Sequence, residues 1–136
     1  MHSAILNESR QTCVAWQVNK ADHYFSRLLG LMFRAHLPEG HGLWIEPCAD
    51  IHSCFMRFRF DAIFMDKQGK VLHLVEAMKP WRISRFVKGS RVVLELPAGS
   101  IAQSRTEVGD VLAWGEAPLQ DAKPGALLDL AADLGG

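Results

Sequence analysis

Between His52 and Phe64 the even positions read His, Cys, Met, Phe, Phe, Ala, Phe, and the odd positions include Arg57, Arg59 and Asp61. A period of two held this long marks a half-buried strand with Cys54, Met56, Phe58, Phe60 and Phe64 on its apolar face. Fully extended, such a strand would span about 40 Å, well beyond the usual five or six residues. The pattern therefore predicts a bend or break near Arg57–Asp61, with the charged side chains gathered at a corner.

The same reading gives the other elements. Residues 11–18 alternate, with Val14, Trp16 and Val18 on one side, and read as a strand. Ala21, Phe25, Leu28, Leu29 and Met32 fall at helical spacing, with Asn19 as cap and Gly30 as stop. Pro38, Gly40 and Gly42 mark a loop over Arg34–Gly42, followed by a short strand, Leu43–Glu46. Asp66–Lys70 (DKQGK) predicts a hairpin turn with Gly69 at a positive φ, and Val71–Val75 is the returning strand. Met78–Ser90 is a loop, Arg91–Leu96 a strand ended by Pro97 and Gly99, and Ser100–Thr106 a short helix or turn capped by Ser100. Gly109–Asp110 is a tight turn into the strand Val111–Trp114. Six or seven short strands with two or three short peripheral helices predict an α+β, mostly β fold: a small closed or nearly closed β-barrel. The single domain is expected over residues 1–114. Residues 115–136 are an Ala-, Gly-, Pro- and Leu-rich tail, either a docking helix on Leu127, Leu130, Ala131 and Leu134 or a loose end.

Composition narrows the function classes. At 136 residues the chain fits one core, and 49% hydrophobic residues are enough to build it. Fifteen basic and fifteen acidic side chains cancel, so no global field gathers nucleic acid or an anionic membrane, and no nucleic-acid partner is predicted. The charges are segregated, however. Arg57 to Arg91 holds nine basic residues against Asp61, Asp66 and Glu76, while the tail after Trp114 has four acids and Lys123. A surface of solvated charges is the simpler reading of the basic middle, and a meeting place for an anionic ligand is the functional one. The start, MHSAILNESRQT, has no basic n-region or long apolar h-region, and no apolar run reaches the length of a transmembrane segment. Three cysteines at no framework spacing read as reduced thiols, so a soluble cytoplasmic protein is expected.

Six pieces of the chain occur in a familiar order: RLLGLMFR at 27–34, LPEGHGLWI at 37–45, IHSCFMRFRFDAIFMD at 51–66, KPWR at 79–82, VLELPAGS at 93–100 and VGDVL at 108–112. Together they resemble the domain of unknown function 192 (DUF 192) family of uncharacterised bacterial and archaeal proteins. The resemblance covers about Leu28 to Leu112. It implies a small β-barrel with peripheral helices and no assigned activity. The chain departs from the family pattern at Arg59, where the family usually has proline: the proline agrees with a bend there, while the arginine leaves its sharpness open and adds a positive charge.

Four constellations carry candidate chemistry. His52 titrates near neutrality and can donate, accept or ligate, but a histidine on an apolar face is more often a core residue satisfied by backbone groups. Cys54 shares its face, and an imidazole can lower a thiol pKa, yet no orienting Asn or Asp and no oxyanion hole can be named. His36, His41, Cys48, His52 and Cys54 are ligand types that suit zinc, but their spacing matches no zinc module, so no metal or cofactor is predicted. Arg57, Arg59 and Asp61 lie on the polar side of the predicted strand. There Asp61 is either an aspartate that fixes the turn through backbone N–H groups or part of a ligand site. In the second case Arg82 is a second cation, suited to bidentate recognition of carboxylate or phosphate, and Trp81 a stacking face. The expected function is a non-enzymatic binding or accessory module, with His52, Arg57, Asp61, Trp81 and Arg82 around an anionic ligand. The rivals are an enzyme using His52 and Asp61 as acid and base, and a protein-interaction domain whose partner takes the tail.

Overall fold

The computed structural model describes residues 3–21, 37–51 and 58–116. Among them run the strands β1 (Ala4–Asn7), β2 (Thr12–Ala15), β3 (Gln17–Ala21), β4 (His41–Ile45), β5 (Phe60–Met65), β6 (Val71–Met78) and β7 (Val92–Pro97), then the helix α1 (Ser100–Ser104) and β8 (Leu112–Gly115). The predicted closed barrel is not what they build. The strands divide into a three-stranded sheet, β2-β1-β8, and a five-stranded sheet, β3-β4-β7-β5-β6, and neither closes on itself. All pairs are antiparallel except β3 with β4.

The continuous strand expected over residues 11–18 is in fact two strands in different sheets. The chain changes sheet at Trp16, where the N–H groups of Trp16 and Gln17 both donate to the Gly40 carbonyl, at 2.9 and 3.0 Å. Alternation identifies a strand but not its partner, so a sheet change in mid-pattern leaves the alternation intact. Asn19, expected to cap a helix, lies within β3. The helix expected after it, and any helix in the tail, lie outside the described residues. Where two or three helices were predicted, the described residues hold α1 alone. β1 was not foreseen, because four residues are too few to establish a period.

The five-stranded sheet buries both faces. On β7, Val92, Leu94 and Leu96 enter a core shared with the three-stranded sheet, including Ile5, Val14, Ile63, Met65, Ile101 and Leu112. Val93 points the other way, into a second core with Leu37, Ile51, Phe60, Ala62, Phe64, Met78 and Val87. Trp44 of β4 and Trp114 of β8 tie the sheets together, their rings 4.9 Å apart. β5 is therefore not half-buried: all six of its residues are inside, because it lies between β6 and β7 with a core on either face. Its even positions, Phe60, Ala62 and Phe64, form the predicted apolar side, but Ile63 and Met65 are equally buried on the other.

Local chemistry sets the turns. β5 and β6 are joined by the expected hairpin: the Asp66 carboxylate accepts the N–H groups of Gln68 and Lys70 at 2.9 and 3.0 Å, and Gly69 takes φ +88°. The turn before β8 is held by a buried network. Asn7 Nδ2 donates to Thr106 Oγ1 and to the Asp110 carboxylate, at 3.1 and 3.0 Å, and the Glu107 N–H donates to Asp110 at 2.9 Å. Arg10 completes it with ion pairs to Asp110 and Glu107.

Candidate functional site

Asp61 stands where β5 begins and is fully buried. Its Oδ1 accepts the Ala77 N–H at 2.8 Å, and its Oδ2 accepts those of Gly99 and Ile101 at 3.1 and 2.9 Å. The two ends it serves are both irregular. Ala77 has φ +49° at a bulge where β6 slips against β5. Gly99, at φ +98°, is the N-cap of α1 and has no capping side chain of its own. The expected cap, Ser100, instead donates its hydroxyl to the Pro97 carbonyl at 2.6 Å. A carboxylate forty residues away in sequence thus supplies the acceptor that the helix N-terminus lacks. With both oxygens receiving backbone N–H groups inside the protein, this side chain organises the corner.

Arg59, just outside β5, is exposed, and Phe58 packs its ring 6.5 Å from that of Phe60. His52, Cys54 and Arg57 lie outside the described residues, as does His36. Among the described residues no three histidine, cysteine, aspartate or glutamate side chains are grouped so as to hold a metal ion. Cys48 and Cys13 are free thiols pushed up to about 11, mainly by burial, so each is protonated at neutral pH and is a poor nucleophile.

Trp81 and Arg82 belong to the segment that follows β6. Cations stand at every third position: Lys79, Arg82, Arg85, Lys88 and Arg91, all exposed. No acidic residue occurs between Glu76 and Glu95. A second series, Ser84, Val87 and Ser90, fastens the segment to residues 48–51. The Ser84 N–H donates to the Ile51 carbonyl at 2.8 Å, and the Ile51 N–H returns a bond to Ser84 Oγ at 2.9 Å. The Val87 N–H donates to the Ala49 carbonyl at 2.9 Å, and its side chain plugs the second core. Ser90 Oγ donates to the Cys48 carbonyl at 2.9 Å. The third series, with Ile83 and Phe86, faces solvent. Trp81 stands beside it at φ +62°, and its carbonyl accepts a long bond, 3.4 Å, from the guanidinium of Arg82. The three-residue recurrence is visible in the sequence, but a search for periods of two and 3.6 passes over it.

Glu95 is the other residue that sequence reasoning missed. It lies on β7 opposite Ala62 and Leu43, buried on the second-core side, and its charge adds to the upward shift of Cys48. Its place between Leu94 and Leu96 in an alternating strand was the available signal.

Among the described residues, two groups shifted downward make the fold sensitive to acid. Burial alone would raise the Asp110 carboxyl, but hydrogen bonds from Asn7, the Glu107 N–H and Arg10, with the charge of Arg10, hold it below the usual range. His73, 5.6 Å from the Phe64 ring, is lowered by burial and then by Arg85. In both cases the unfolded chain takes up its proton at a higher pH than the folded one, so stability falls as pH falls. Urea midpoints are expected to decline first below about pH 6.5, as unfolded histidine protonates, and again below about pH 3.9, as unfolded aspartate does. His73→Gln should flatten the first step and leave the second. An unchanged first step would show that His73 does not cause it.

Residues 5–114 match the DUF192 family model, described as an uncharacterised ACR. A UPF0127 protein of Pyrococcus furiosus is 33% identical over 115 residues, covering 81% of this chain and 97% of that one. A UPF0127 protein of Pyrococcus horikoshii is 35% identical with the same coverage. Two solved structures share the fold. One is a putative transcription regulator from Sinorhizobium meliloti (TM-score 0.67, 22% identity, 82% of this chain and 90% of that one). The other is a protein of unknown function from Novosphingobium aromaticivorans (TM-score 0.69, 20% identity, 82% of each chain). The extent of the family match and the archaeal relatives lead to one conclusion: this chain belongs to the DUF192 family of uncharacterised proteins.

Proposed function

We propose that this domain is a non-enzymatic binding or accessory module whose ligand carries negative charge. Its binding surface is the basic side of the corner at Arg57–Asp61 together with the segment from Lys79 to Arg91. The observation that carries this reading is the row of five exposed cations, uninterrupted by an acid, on a segment fastened at Ser84, Val87 and Ser90. A fastened segment pays little ordering entropy when a ligand arrives. Arg82 and Trp81 offer a planar fork and an aromatic face for an anionic group, and His52 and Arg57 extend the same proposal. The rival reading, an enzyme with His52 and Asp61 as acid and base, needs a carboxylate within reach of a substrate. Asp61 is buried with both oxygens engaged, which favours the binding module.

Thermal denaturation with inorganic phosphate, citrate and tripolyphosphate at matched ionic strength tests this. Tripolyphosphate is expected to raise the melting temperature by several degrees, the rise shrinking with added salt and vanishing in Arg85→Gln/Lys88→Gln. An equal response from that variant, or none from the unaltered protein, would remove the proposal.

A further inference from the structure

The cations are only half of what the segment presents. Ile83 is 76% exposed, Phe86 68% and Trp81 57%, large apolar side chains held in water within six residues of one another. A site for a small soluble anion can use Trp81 as a stacking face but has no use for Ile83 or Phe86. It would gather its cations around a concavity, whereas these are strung along the chain from position 79 to position 91. A single-stranded nucleic acid would use aromatic platforms, but Ile83, the most exposed of the three, offers no ring.

Resting on the anion-binding reading above, we infer that the partner is an anionic lipid surface, with Trp81, Ile83 and Phe86 entering the headgroup region and Lys79, Arg82, Arg85, Lys88 and Arg91 meeting the lipid charges. The chemistry is complementary on both counts. Apolar side chains gain by leaving water at the interface, and tryptophan favours that boundary. Cations within a Debye length of an anionic leaflet are attracted to it, and no acid in the segment opposes them. The fastening at Ser84, Val87 and Ser90 holds the remaining positions outward. Among the described residues no helix is long and apolar enough to cross a membrane.

Cosedimentation of the full chain with vesicles provides the test. Binding is expected to phosphatidylcholine vesicles containing one third phosphatidylserine and not to phosphatidylcholine alone, weakening about fivefold for each cation neutralised. Ile83→Ser/Phe86→Ser alters exposed side chains and should fold normally by circular dichroism. It is expected to lose at least about tenfold in vesicle partitioning while keeping the tripolyphosphate response. Arg85→Gln/Lys88→Gln should lose both. Vesicle binding unchanged in the serine variant would overturn the inference and leave the anion-binding reading standing. So would a tripolyphosphate response without vesicle binding, or tighter binding to a single-stranded oligonucleotide than to vesicles. A response of the unaltered protein to neither tripolyphosphate nor vesicles would remove both.

Discussion

Asp61→Ala is expected to destabilise the protein by about 3–5 kcal/mol, enough to leave a marginally stable domain largely unfolded. Three backbone N–H groups lose their acceptor together: Ala77 at the bulge of β6, and Gly99 and Ile101 at the start of α1. Each unsatisfied buried donor costs about 1–3 kcal/mol, and the lost bonds are charge-assisted. The site is fully buried, and the Ile101 bond lies wholly inside, so water does not readily replace the carboxylate there. Asp61→Asn keeps the volume and one acceptor but turns an NH2 group toward a donor, so it should recover only part of the loss. Urea titration followed by far-ultraviolet circular dichroism measures both variants. A loss below about 1 kcal/mol for alanine would mean that the three N–H groups find other partners, and Asp61 would no longer be the organiser of the corner.

Gly69→Ala is expected to cost about 3 kcal/mol, and the reason is separable from glycine's conformational freedom. At φ +88° any side chain is strained, but here a Cβ would also stand 2.2 Å from the Leu112 carbonyl oxygen. That oxygen is backbone and has little freedom to move aside. Leu112 in turn donates its N–H to the Gly69 carbonyl at 2.9 Å, so relief of the clash costs a hydrogen bond between the β5–β6 hairpin and β8. Gly109 is the internal control. It has φ +97°, with nothing within 4 Å of a built Cβ, so Gly109→Ala should show only the backbone strain, about 1 kcal/mol. Equal losses at the two positions would show that the close approach to Leu112 is relieved without cost.

These two positions also divide what was legible from what was not. Gly69 was readable, because DKQGK is a self-contained piece of chemistry: a carboxylate that binds N–H groups two and four residues on, and a glycine free to take the positive φ. Asp61 was legible only as an alternative. That it receives backbone N–H groups was among the readings, but the donors that it serves sit 16, 38 and 40 residues later. No local pattern announces them. The cap expected from Ser100 failed for the same reason, since the helix takes its acceptor from across the fold.

By itself, the sequence determined the strand-rich class, the hairpin, the loop after β6 and the ends set by Pro97 and the Gly109–Asp110 turn. All of these rest on backbone preferences within a few residues. Tertiary structure alone decided three further matters. It separated β2 from β3 at Trp16 into different sheets, and it buried β5 on both faces when its alternation promised one. It also sorted residues 79–91 into a fastened series and a series of cations facing solvent beside Ile83 and Phe86. The physical reason is common to all three. Alternation records which way a side chain points, and only the packed neighbours decide what it points at.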